Sequence, residues 1–245
     1  SSGLRWSPAR TYAQFGDPAA LVTETAMSSG DPSIVMAVRR ACRSNDGASV
    51  TRLFTARHQY APENIIGFVC AAEACGSEYA LAVLRDRGLV PESWDSIDLT
   101  SAAREHLHEP EALAGMLARG ADPNALAKKG ARSERTLLLW ACARLHFRAI
   151  PLLIDAGGDV HRRGERGTAL GYLIRGLQRA SNHRCTPEFV RDSLASVTLL
   201  LDAGARVDTF DLFAPLHEGA EFIDHRALRE GVRELFRPHL PPYAR

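Results

Sequence analysis

Thr136 to Val160 read TLLLWACARLHFRAIPLLIDAGGDV, two apolar runs separated by the segment Arg144 to Arg148, which carries two Arg and a His, and closed by Gly157. The order is that of a helix, a tight turn, a second helix and a projecting loop. The ending recurs as VLRDRGLVP around Gly88, MLARGADPN around Gly120 and LLLDAGARVD around Gly204, so the four glycines are spaced by 32, 37 and 47 residues. A glycine after a leucine-rich run takes a positive φ and closes a helix C-terminus, which a residue with a Cβ does only at a cost. One helix pair cannot bury its own apolar faces, and stacking against neighbouring copies is what buries them.

Within this stretch, Thr136, Leu138, Ala141, His146, Ile150, Leu152, Leu153, Gly157, Asp159 and Val160 stand where the ankyrin repeat pattern has its characteristic residues. Leu137, Leu139 and Cys142 replace the Pro, His and Ala of that pattern, and Pro151 enters its second helix. The chain therefore resembles the ankyrin repeat family. The resemblance continues in Gly67 to Gly88, with Ala71-Ala72, Gly76 and Val83-Leu84 in register, in Thr168-Ala169-Leu170, and in Pro215-Leu216-His217. It implies an all-α fold, an ankyrin-type helical repeat solenoid of about five to six helix-turn-helix units with degenerate terminal repeats and little or no sheet. The units fall at about 31–61, 62–94, 95–130, 131–163, 164–208 and 209–245, behind an N-terminal arm at 1–30 with a short helix. The fifth unit runs longer from its Thr to its Gly than the fourth, and the excess, at 176–190, sits between its paired helices or extends them.

With 45% hydrophobic and 24% charged residues, the chain of 245 residues has globular composition. No apolar run approaches the roughly 18 residues of a membrane helix, and no signal-peptide pattern opens the sequence. The five cysteines are an odd number without metal-type spacing and fit a reduced, intracellular setting, cytoplasmic or nuclear. A net charge of +1 conceals a segment, residues 128–184, with two Lys and ten Arg against four acidic residues. A basic middle on an acidic frame is a statement about partners rather than fold.

No pattern of residues demands catalysis. His106-x-His108, His183-x-Cys185 and His161 fall in different units and lack the four spaced ligands of a zinc site, so they read as exposed or capping histidines. His146 and His217 read as structural histidines, Cys75 as an inert thiol, and Glu218 with Glu221 as a solvated helix face. GGDVHRRGERG follows a helix, whereas a phosphate-binding glycine loop follows a strand. Catalytic residues, metal and cofactor are accordingly assigned as none.

Ankyrin repeats bind partners through loop tips and the exposed side of the first helices, which is what the resemblance implies here. Projected onto this chain, those positions are Arg132, Ser133, Arg135 and Arg144 in the fourth unit, Glu165 and Arg175 in the fifth, and Phe210, Asp211 and Phe222 in the sixth. Arg162, Arg163 and Arg166 lie close by in a loop. The arginines would form a guanidinium-rich centre suited to carboxylates or phosphates. Phe210 and Phe222 would form an aromatic patch. The expected function is an interaction module that binds an acidic segment of another protein. Two alternatives stay open: an enzyme or ligand-binding protein with its pocket at the insertion, and nucleic-acid binding through the basic loops, which lacks interleaved exposed aromatics.

Overall fold

The computed structural model describes residues 32–54, 60, 62–91, 93–94, 97–128, 134–180, 185–207, 210–211, 214–215, 218 and 220–240. The expected N-terminal arm and its short helix lie outside the described residues. Among the described residues the fold is almost wholly α-helical, and its helices come in pairs. The first three pairs are α1 (Pro32–Arg43) with α2 (Gly47–Leu53), α3 (Pro62–Ala74) with α4 (Glu78–Asp86), and α5 (Leu99–Glu105) with α6 (Pro110–Ala118). Then follow α7 (Leu137–Arg144) with α8 (Ala149–Asp155), α9 (Ala169–Ala180) with α10 (Pro187–Asp202), and the closing helix α11 (Arg226–Phe236). Two-residue antiparallel ribbons precede the fourth and sixth units: β1 (Ala127–Lys128) with β2 (Glu134–Arg135), and β3 (Phe210–Asp211) with β4 (Ala214–Pro215). The chain forms two compact units, residues 1–106 with 111–121, and 107–110 with 122–245.

The sequence dictates where these helices begin and end. Asp46, Asp98, Thr136 and Thr186 each accept a backbone N–H three residues on, at 2.9, 2.9, 3.4 and 3.2 Å, satisfying a donor that a helix start would leave orphaned. Pro151 lies in the first turn of α8, where the missing N–H has no intrahelical partner to lose, so the departure from the repeat pattern is tolerated. Gly88, Gly120, Gly157 and Gly204 all have positive φ, as the repeat endings require. Between paired helices the left-handed position is filled by Asn45, Gly76 and Leu145 in three different units.

In the first compact unit, Phe54, Tyr60 and Phe68 form a three-ring cluster with centroids 4.8 to 5.8 Å apart, closed around Val38, Val50 and Leu84. Tyr60 donates to the Leu53 carbonyl at 2.9 Å, and burial pushes its phenol up to about 12. Neighbouring units are also joined through polar side chains. Asn45 Oδ1 accepts from the backbone N–H groups of Tyr79 and Ala80, at 2.9 and 3.4 Å, and so caps α4 from the preceding unit. Arg119 sits over the Trp94 ring at 4.6 Å, pairs with Glu73 and donates to the Gly115 carbonyl at 3.0 Å.

In the second compact unit α7 is buried over six successive residues, Leu137 to Cys142, and α9 packs beside it. Asn124 plays the joining part here. Its Nδ2 donates to the Gly157 carbonyl at 2.9 Å and its Oδ1 accepts from the Asp159 N–H at 2.7 Å, one repeat further along. His161 occupies the corresponding place in the next loop, with its ring beside Gly204. The long fifth unit lengthens its own helices: α9 has 12 residues and α10 has 16. Inside α10, Ser193, Ser196 and Thr198 return their hydroxyl protons to carbonyls four residues back, which lets two buried serines lie in an apolar interface. Leu228, Val232 and Phe236 of α11 cover the end of this stack, and Leu194 of α10 fits against Gly231, where a Cβ would come within 2.8 Å.

Candidate functional site

The basic segment of the sequence is centred structurally on two aromatic rings. Trp140 stands in the first turn of α7, four residues after its cap Thr136, and Tyr172 stands four residues after Thr168, in the same place of the next unit. The α7/α9 packing brings these equivalent positions side by side. Arg135, the last residue of β2, lays its guanidinium carbon 4.8 Å from the Trp140 ring centroid and 5.0 Å from that of Tyr172. Arg144, one helical turn beyond Trp140, lies 5.6 Å from the same indole. A guanidinium over an aromatic face is attracted by the ring quadrupole and loses conformational freedom before any ligand arrives.

Tyr172 also holds the neighbouring loop. Its hydroxyl accepts from the Arg166 backbone N–H at 3.2 Å, and Gly164 passes so close that a Cβ there would lie 2.9 Å from that oxygen. Gly164 and Gly167 pair through their backbones at 2.9 and 3.3 Å, closing a tight loop from which Arg162, Arg163, Glu165 and Arg166 project into solvent. Arg175 is half-buried on α9, and Arg179 of the same helix reaches the Ala143 carbonyl at 3.4 Å. Among the described residues no carboxylate is paired with Arg135 or Arg144, and the Arg135 Nε is buried without a hydrogen-bond acceptor. The result is a fixed cluster of positive charge with hydrogen-bond donors left over, suited to anionic oxygen.

Arg132 and Ser133 lie outside the described residues, as does His217. Phe210 and Asp211 are placed by their backbone, as β3 opposite Pro215 and Ala214. Phe222 is 71% exposed just ahead of α11, beside Glu221, which pairs with Arg233 at 3.1 Å.

The histidines divide differently from the sequence expectation. His106, expected at the surface or as a cap, is fully buried: its ring fills the space above Gly67, where a Cβ would come within 2.2 Å, and its Nδ1 lies 3.5 Å from Arg39. The α5 terminus turns it into the core of its unit because Gly67 on α3 leaves room for a ring. His225 is the capping histidine, accepting from the Leu228 N–H at 3.3 Å. His146 follows the left-handed turn at Leu145 and lies 6.2 Å, centroid to centroid, from His108. Burial, then the charges of His108 and Arg144, holds its imidazole down to about 4. Cys75 is exposed, with its thiol pushed up by partial burial and by Glu111. Among the described residues no three His, Cys, Asp or Glu side chains cluster as metal ligands would.

Trp140 and Tyr172 were not singled out by sequence as functional. The readable signal was positional: an aromatic residue recurs four places after the repeat Thr in two successive units, with Arg144 a further four along.

No family model and no curated protein matches this chain. Among solved structures it is similar to an ankyrin repeat domain from Acinetobacter baumannii AYE, at 18% identity over 81% of this chain and 96% of that one, with a TM-score of 0.46.

Proposed function

We propose that this protein is an interaction module that binds an acidic segment of a partner protein along the surface carrying Arg135, Arg144, Arg162, Arg163, Arg166 and Arg175. The observation that carries the reading is the placement of Arg135 over both Trp140 and Tyr172. Two large aromatic side chains orient one cation at the junction of two repeats. A stack held together by its apolar faces alone has no need of that arrangement. Stacked guanidinium groups retain their in-plane N–H donors, the edge that meets a carboxylate bidentately. The solvent-facing arginines of the 162–166 loop extend the same charge and would steer an acidic partner toward it.

The test is capture from native extract with the intact chain and with the triple variant Arg132→Glu, Arg135→Glu, Arg144→Glu. The variant should keep its helical circular dichroism spectrum and lose its partners, and capture by the intact chain should weaken as salt rises, since exposed charges are screened over about 8 Å at physiological ionic strength. Normal capture by the folded triple variant, or indifference to salt, would discard the basic surface as the binding site. The exposed Phe222 would then be the next position to change.

A further inference from the structure

Arg135 and Arg144 share one indole: their guanidinium carbons lie 4.8 and 5.6 Å from the Trp140 ring centroid, which leaves the two charges within about 10 Å of each other. Two like charges at that separation repel. Neither is neutralised by a carboxylate among the described residues, and the Arg135 Nε has no acceptor. The platform itself is nearly immobile, because Trp140 is 8% exposed in the middle of the buried face of α7 and the second ring under Arg135, Tyr172, is tied through its hydroxyl to the Arg166 backbone. The two cations are therefore held over one indole, no more than about 10 Å apart, and a ligand carrying two negative groups within that reach would relieve the repulsion at both ends.

Resting on the reading of this surface as a site for acidic segments, we infer that Arg135 and Arg144 read a pair of carboxylates at alternate positions, i and i+2, of an extended acidic peptide. In an extended chain such side chains project from the same side roughly 6.5–7 Å apart, whereas neighbours at i and i+1 point to opposite sides. Trp140 is the positioning residue: it touches both guanidinium groups and sets their separation. Arg162, Arg163 and Arg166 add charge from the neighbouring loop and contribute attraction rather than spacing.

The experiment measures binding of synthetic peptides of one net charge to the full chain by calorimetry. In one peptide two Glu stand at alternate positions of a Ser/Thr-rich extended sequence. In the other they are adjacent. The alternate peptide should bind at least about tenfold tighter. Arg135→Gln and Arg144→Gln should each remove that preference, leaving both peptides at the weaker affinity. Trp140→Phe, which keeps a ring in the core, should reduce the preference without abolishing binding. Quenching of the Trp140 emission, identified by its absence in Trp140→Phe, should accompany binding of the alternate peptide. Equal affinities for the two peptides, or a preference that survives Arg144→Gln, overturns the paired-carboxylate inference while leaving an acidic-segment site in place. Failure of every acidic peptide to bind overturns both.

Discussion

Leu145 and Gly176 fit each other as key and notch. Leu145 holds a left-handed backbone, φ 60°, between α7 and α8, and its Cδ2 lies 2.7 Å from where a Cβ on Gly176 of α9 would be. A leucine in that conformation costs roughly 1–2 kcal/mol, and packing its half-buried side chain into the gap left by Gly176 offsets part of the strain. Gly176→Ala should destabilise the protein by about 1–3 kcal/mol through overpacking. In a Leu145→Ala background the cost of Gly176→Ala should shrink, a coupling that urea denaturation of the four members of a double-mutant cycle resolves. Additive effects would show that the two residues do not support each other.

Asn124 bonds to two backbone groups of the following repeat, the Gly157 carbonyl and the Asp159 N–H. Asn124→Ala should cost about 1–2 kcal/mol, the ordinary net worth of two hydrogen bonds near the surface. Its local signature is hydrogen exchange: the Asp159 amide should exchange faster while amides of α3 and α4 keep their protection. Unaltered protection at Asp159 would mean that the loop is held by other groups.

The depressed imidazole of His146 makes stability depend on pH in a definite direction. Folded, the ring stays neutral down to about 4, held there by burial and by the charges of His108 and Arg144. Unfolded, it takes a proton near its ordinary 6.5. Between those values the unfolded chain binds more protons, so stability is complete above about pH 6.5 and falls as pH drops toward 4. His146→Gln should flatten that part of the curve. Urea midpoints at pH 7.5, 5.5 and 4.5 for both proteins supply the check, and parallel curves would exclude His146 as the cause.

The five cysteines should separate into two reactivity classes. Burial pushes the Cys42 and Cys70 thiols up to about 12 and raises that of Cys142 as well, while Cys75 is exposed and Cys185 is half-buried. Iodoacetamide at pH 8 should add to Cys75 and Cys185 in the native protein and to all five cysteines in denaturant, as intact mass reports. Rapid native labelling of Cys142 would indicate that α7 opens.

Much of the fold was legible because repeats announce themselves by glycine. Gly88, Gly120, Gly157 and Gly204 each end a unit with positive φ, and Thr136 caps its helix as the pattern requires. The insertion was legible in length but not in kind. Thr186 and Pro187 now explain it, since a strong helix start at that place turns the extra residues into a longer α10. The arginines of the site could be found by counting charge, but their order could not. Which arginine is pinned depends on Trp140 and Tyr172 becoming neighbours through packing of α7 on α9, a relation 32 residues apart in sequence. His106 was misjudged for the same reason, because its burial depends on Gly67 of another helix.

Among the described residues, polar connections between repeats run both forward and backward along the chain. Asn45 caps a helix that follows it by more than thirty residues, Asn124 binds backbone of the next loop, and His161 rests beside the next closing glycine. Later repeats also reach back: Ser77 donates to the Arg43 carbonyl and Arg179 to the Ala143 carbonyl, each at 3.4 Å. For a polypeptide made from its N-terminus, the acceptors and donors that Asn45 and Asn124 offer exist before the repeats they bind leave the ribosome, while the ties from Ser77 and Arg179 form only once those later repeats have emerged.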